Sequence, residues 1–210
     1  MNPTIKIKLK GVHMHIRTLF LDMDGVIVDF HRAVLERHGI KEVSNLHEWE
    51  FLYRKDFGMS CDEFWLDKDD EFWADLPFTK EAGDIFQCLG ERDLLDRVCL
   101  LSQPQRHAFQ GKVDWIKKNL GRMFNQKQFL LGFKKDWCAH PQSLLIDDNE
   151  EHCEDFVAAG GHAFLVPRPW NFMREREGSI VELLGKYLDL HDIRGSNAWK
   201  KSNRIRLGNK

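Results

Sequence analysis

Residues 17–26, Arg-Thr-Leu-Phe-Leu-Asp-Met-Asp-Gly-Val, begin as an apolar run and break into two aspartates and a glycine. A short apolar run closed by polar residues is the pattern of a buried strand that delivers its chemistry at its C-terminal end. The shape recurs downstream: residues 98–101 run into Ser102-Gln103-Pro104, 129–131 into Gly132, 144–146 into Asp147-Asp148-Asn149, and 163–166 into Pro167. Helical patterns lie between them. Phe109, Val113, Ile116 and Leu120 share one face and stop at Gly121, and residues 150–159 stop at Gly160-Gly161. Strands alternating with helices predict an α/β fold, a Rossmann-like parallel sheet with helices on both faces. Ligands of such sheets bind beyond the carboxyl ends of the strands, where the polar residues fall.

The stretch from Gly25 to Ser102 is too long to be one unstructured connection. Phe30, Val34 and Leu35 predict a helix ending at Gly39, and Ser60-Cys61-Asp62-Glu63 has the form of a capping box opening another. Trp49, Phe51, Tyr53, Phe57, Phe64, Trp65, Phe72 and Trp73 make the segment unusually aromatic. The expected organisation is a core of residues 16–29 and 77–190, a small helical cap of 30–76 inserted after the first strand, and terminal extensions at 1–15 and 191–210. Residues 79–89 are expected to return as a core helix.

The chain has 210 residues, 42% of them hydrophobic and 30% charged, enough for one α/β core with a modest accessory module. No apolar run approaches the length needed to cross a bilayer, and residues 1–11 do not resemble a secretory signal. Five scattered cysteines without a CxxC pair argue against a disulfide framework or zinc site, and predict reduced thiols and a cytoplasmic setting. A net charge of −2 gives no global field for nucleic acid. The basic tail with Lys200, Lys201, Arg204, Arg206 and Lys210 is read as a solvated terminus, a polyanion contact being the alternative. The ten histidines form no metal-binding spacing, and P-loop, dinucleotide and serine-hydrolase motifs are absent.

In an extended strand, residues two apart face the same way, so Asp22 and Asp24 would project together. Such a pair can bind a hard divalent cation, and mutual repulsion can keep one carboxyl protonated as an acid. Gly25 allows a sharp turn and a close backbone approach to a phosphate. Taken alone the motif also fits an Asx turn; a calcium loop is excluded because Val26 stands where another oxygen ligand is needed. Each later strand end adds a part that phosphoryl transfer uses: Ser102 as a hydroxyl donor, Lys134 or Lys135 as a cation, and Asp147 with Asp148 as further metal ligands. The last two also suit a helix N-cap.

In order, spacing and strand-end placement, LFLDMDGV, LLS, a lysine and LLIDDN resemble the motifs of the haloacid dehalogenase (HAD) superfamily, across residues 17–166. More narrowly, LDMDGVIVDF, the aromatic cap, Leu76-Pro77, Ser-x-Pro and LLIDD look like the 5'(3')-deoxyribonucleotidase family and its prokaryotic and phage-type relatives. The resemblance implies a magnesium-dependent phosphatase in which Asp22 is the nucleophile and Asp24 the general acid/base. Magnesium would be held by Asp22, the Asp24 carbonyl and Asp148, with Asp147 beside it, and Gly25, Ser102 and a lysine would hold the phosphate. Lys135, 12 positions before Asp147, matches the phage-type spacing better than Lys134.

The same resemblance implies a nucleoside monophosphate substrate, deoxyribonucleotides favoured, with Phe30, Trp49 and Gln103 at the substrate. Gln103 replaces a serine of the human-type enzymes, so their sugar and base contacts do not carry over. The bland alternative for the aromatics is that they pack the cap itself. Another small phosphate ester, or a polynucleotide phosphate end, is the competing substrate, and a non-catalytic module on the same fold the competing class. The partner is thus a small molecule, with no membrane and no nucleic acid expected; a homodimer is left open.

Overall fold

The apolar run before Asp22 is the central strand of a five-stranded sheet. The computed structural model describes residues 16–41, 58–105, 108–124 and 127–193. Strands β1 (Thr18–Leu21), β2 (Val98–Ser102), β3 (Phe129–Leu131), β4 (Ser143–Asp147) and β5 (His162–Leu165) lie in the order β3-β2-β1-β4-β5, with every pairing parallel. This is the expected Rossmann-like class. With partners on both edges and helices on both faces, β1 is buried and apolar from Leu19 to Leu21. Leu19 and Leu21 join Leu100, Leu144 and Ile146 in the main core, while Phe20 packs with Leu101, Leu145 and Phe156 on the opposite face.

Seven helices are described: α1 (Phe30–His38), α2 (Cys61–Leu66), α3 (Asp70–Ala74), α4 (Ala82–Glu91), α5 (Phe109–Leu120), α6 (Glu150–Ala158) and α7 (Ile180–Leu190). The expected stop and start signals are used. Gly39 ends α1 in the left-handed conformation at φ 64°, and Ser60 and Glu63 cap each other's backbone at the start of α2.

After β1 the chain folds back on itself, as the Met23 carbonyl accepts from the N–H groups of Val26, Ile27 and Val28. The outgoing and returning segments then meet. Val28 bridges Phe78, Asp29 N–H donates to the Pro77 carbonyl, and Thr79 donates through N–H to Ile27 and through Oγ1 to Val26. These bonds hold Thr79 in the neck, which is why α4 starts at Ala82 rather than at the expected residue 79.

Among the inserted helices, α3 lies against α5 of the core. Gly111 permits this contact: a Cβ there would sit 2.4 Å from Trp73 Cβ and 2.6 Å from the Asp70 carbonyl oxygen. The contact is completed by Trp115 Nε1, which donates to the Leu76 carbonyl at 2.6 Å. Among the described residues, no helix is long and apolar enough to cross a membrane.

Candidate active site

Register decides where the carboxylates meet. Leu21 pairs with Ile146 across β1 and β4, and Asp22 N–H donates to the Ile146 carbonyl at 3.0 Å, so Asp22 and Asp147 emerge side by side. Asp148 follows. Oxygen atoms of Asp22, Asp147 and Asp148 lie within 4.8 Å of one another, a group that can hold a metal ion. Asp147 and Asp148 do not cap α6; Asn149 does, accepting from His152 N–H at 3.1 Å. Both aspartate side chains are thereby left for the site.

Lys135 enters the cluster and Lys134 does not. Lys135 is 3% exposed, and its Nζ lies 2.7 Å from Asp22 Oδ1 and 2.7 Å from Asp147 Oδ2, while Lys134 is on the surface. The short 3₁₀ turn Lys135–Cys138 sets this difference between neighbours.

Four carboxylates, Asp22, Asp24, Asp147 and Asp148, share this end of the sheet with two ammonium groups, Lys112 and Lys135. The surplus of negative charge appears in the proton affinities. Burial pushes Asp22 up to about 6, with Asp147 and Asp24 adding to the rise and Lys135 opposing it. Asp148 is raised well above the ordinary carboxylate value by burial and by Asp147 and Asp22, against the Trp170 hydrogen bond and Lys135. Burial also works against Asp147 as an anion, but Lys135 and His152 outweigh it and hold that carboxyl below its usual value. For Lys135, the attraction of Asp147 and Asp22 outweighs burial and raises its affinity for the proton.

Asp24 stands apart from the three-carboxylate group. Its Oδ2 accepts from Lys112 Nζ at 2.5 Å, and its Oδ1 is buried with no hydrogen-bond partner. Ser102 Oγ lies 3.1 Å from the same Lys112 Nζ. Gly25 turns at φ +73° directly against Asp148.

The cleft above these groups has a volume of about 200 Å³, and Phe30, Trp65, Trp73, Gln103, Gln105 and His152 contribute to its walls. Phe30 is 2% exposed, with ring centroids 5.1 Å from Trp73 and 5.8 Å from Trp65, so its faces are engaged by its neighbours. Trp65 is the aromatic wall residue with open surface. Trp49 lies outside the described residues. Gln103 borders the cleft, its Oε1 2.9 Å from His152 Nε2.

Several site residues were not anticipated. Lys112 could have been found, because it falls on the same helical face as Phe109 and Ile116, where a lysine is out of place. Trp170 Nε1 donates to Asp148 Oδ2 at 2.7 Å, and Asn171 Nδ2 donates to the carbonyls of Asp148 and Val166 at 2.8 Å each. Nothing in the local pattern of residues 167–172 signals these contacts.

Solved structures share this architecture. A HAD family hydrolase from Deinococcus radiodurans R1, with bound phosphate and sodium, superposes with a TM-score of 0.51 at 13% identity, covering 86% of this chain and 98% of its own. The chain shares the fold of that structure. YfnB of Bacillus subtilis, assigned as a HAD-hydrolase and solved bound to magnesium, gives a TM-score of 0.50 at 14% identity, covering 85% and 100%. Identities this low establish the fold alone. No protein-family model and no curated relative matches the sequence.

Proposed function

We propose that this chain is a phosphohydrolase that cleaves nucleoside monophosphates through a phosphorylated Asp22. The carrying observation is the meeting of Asp22, Asp147, Asp148 and Lys135 at the end of the central strand, with Asp24 two residues beyond the nucleophile. A magnesium ion suits the donor set, because closely spaced hard oxygen donors carry more negative charge than the two lysines balance. Asp22, Asp148 and the Asp24 carbonyl would hold it, with Asp147 alongside; when bound, it would offset the charge that makes a phosphate dianion repel a carboxylate nucleophile.

The chain's own groups supply the rest. An Asp22 carboxylate oxygen forms a bond to phosphorus as the bond to the ester oxygen breaks, and Asp24 delivers a proton to that leaving oxygen. A water molecule then attacks the phosphorylated Asp22, Asp24 takes the water's proton, and inorganic phosphate leaves with Asp22 restored. Ser102 and Lys135 would steady phosphate oxygens during both steps.

The nucleotide assignment rests on the resemblance to deoxyribonucleotidases and on the aromatic wall, where Trp65 offers surface for a base. A phosphate-release screen over nucleoside monophosphates and small phosphate esters, with magnesium and with a chelator, tests it. Magnesium-dependent release favouring nucleotides is expected. Preference for a small ester without a base would move the substrate to that class, and no release from any ester would overturn the phosphatase assignment.

A further inference from the structure

Lys112 is 1% exposed, yet none of the steps above uses it. It lies in the first turn of α5, held against β1 and the inserted helices, and its Nζ has three neighbours of different kinds. Asp24 Oδ2 is at 2.5 Å, Ser102 Oγ at 3.1 Å, and the Trp73 ring centroid at 5.1 Å. A buried lysine must offset the loss of water through such partners.

These contacts constrain the two catalytic groups. With Oδ2 engaged by the ammonium, Asp24 has only Oδ1, buried and without a hydrogen-bond partner, left to exchange a proton with substrate. An ammonium has only hydrogens to give, so Ser102 Oγ must accept from Lys112, and its own hydroxyl hydrogen stays available to a phosphate oxygen. Gly111, the preceding residue, brings α3 close enough for the Trp73 ring to cover the ammonium.

We propose that Lys112 is a positioning residue that holds Asp24 and Ser102 in their reacting orientations and ties those orientations to the packing of the Trp73 helix. This rests on the phosphohydrolase assignment for its kinetic consequences, but its geometric content stands apart from it. Without Lys112 the Asp24 carboxylate has no fixed direction, so proton delivery suffers. Poor leaving groups need that proton; activated aryl phosphates do not.

The test is Lys112→Met, which keeps an unbranched side chain one atom shorter and removes the charge. Its kcat for an alkyl phosphate such as a nucleotide is expected to fall at least about tenfold further than its kcat for an activated aryl phosphate, within the range of general acid catalysis. KM is expected to change less than kcat, and Lys112→Arg to recover part of the loss. A crystal structure of the Met variant is expected to show Asp24 or Ser102 turned from its present position. Parallel loss on both substrates, or unchanged Asp24 and Ser102 side chains, would overturn the proposal.

Should Lys112→Met alone fail to fold because it strands the Asp24 charge, the pair Asp24→Asn and Asp24→Asn/Lys112→Met decides. Residues acting through one group are non-additive, so the second change is expected to widen the gap between the poor leaving group and the activated aryl phosphate by less than about threefold, whatever it costs both through Ser102, and a further tenfold widening would overturn the proposal. A wild-type chain that hydrolyses nothing would count against the phosphatase assignment, while the crystallographic comparison would still decide whether Lys112 positions Asp24.

Discussion

Gly25 and Asp148 are mutually exclusive with any larger residue at position 25: a Cβ there would lie 2.1 Å from Asp148 Oδ2. The positive φ adds strain for an L-residue. Gly25→Ala is therefore expected to expel the Asp148 carboxylate from the cluster. Magnesium should then raise the melting temperature much less than in the wild type, and hydrolysis should fall by at least about a hundredfold, the scale of losing a charged group at a transition state. Wild-type magnesium response in this variant would show that Asp148 does not bind the ion.

Asp22→Asn keeps the shape of the side chain but removes the carboxylate proposed as the nucleophile. Phosphate release is expected to disappear while circular dichroism stays that of the wild type. Survival of more than a few per cent of the activity would exclude a phosphorylated Asp22.

The carboxyl pKa values give the metal-free protein a direction with pH. Asp22 rises from 3.8 to about 6 on folding, and Asp148 rises too, so the folded state binds these protons more tightly than the unfolded chain. The Asp22 contribution is complete below the ordinary value and is lost as pH rises through about 6, and that of Asp148 is lost in the same direction. Asp147, lowered by Lys135 against burial, loses its own contribution only in stronger acid. Melting temperature in chelator is thus expected to decline from about pH 4 to above pH 6, and magnesium to reverse the decline with release of protons. A magnesium response that is equal on both sides of that interval would contradict it.

Asn171 fastens the loop after β5 to the backbone of Asp148. Asn171→Ala leaves the buried carbonyls of Asp148 and Val166 without their donor, at a cost of roughly 1–3 kcal/mol. Chemical denaturation is expected to show that loss, together with weaker magnesium binding by calorimetry. Unchanged affinity would mean that Asp148 is held by Trp170 alone.

The two aromatic roles separate by experiment. Phe30→Ala removes a ring packed against Trp73 and Trp65, and should cost about 3–5 kcal/mol of stability. Trp65→Ala should instead raise KM for nucleotides about ten- to a hundredfold, the effect of roughly 1–3 kcal/mol of base stacking. A small phosphate without a base should be little affected by the second change. Equal effects on both substrates would assign Trp65 to packing.

The strands and the clustering of their polar ends were legible because β1, β2 and β4 are nearly unbroken apolar runs ending in Asp22, Ser102 and Asp147. Lys135 was favoured over Lys134 by its spacing before Asp147, but the reason it alone enters the cluster, the 3₁₀ turn that it opens, is not visible in that spacing. Phe30 shows the opposite limit: its spacing from Gly25 is visible in the chain, but whether its ring meets a ligand depends on α2 and α3, far away in sequence. Trp170 and Asn171 act through a loop without periodicity, so no local pattern marked them. Lys112 went unnoticed although it shares a helix face with Ile116, and its partners, 88 and 10 positions away, carry no local signal.

Asp22 and Lys135 are separated by 113 positions, and the carboxylates flanking that lysine come from two strands that pair directly. Closing so long a loop must precede any gain from the contact, and parallel pairing of distant strands is slow. During synthesis, Asp22 therefore waits for 113 further residues before Lys135 can reach it. The carboxylate cluster is assembled late by construction: a nascent or truncated chain ending before β4 carries Asp22 without Asp147 and Asp148, and the three-aspartate group can form only once β4 has paired with β1.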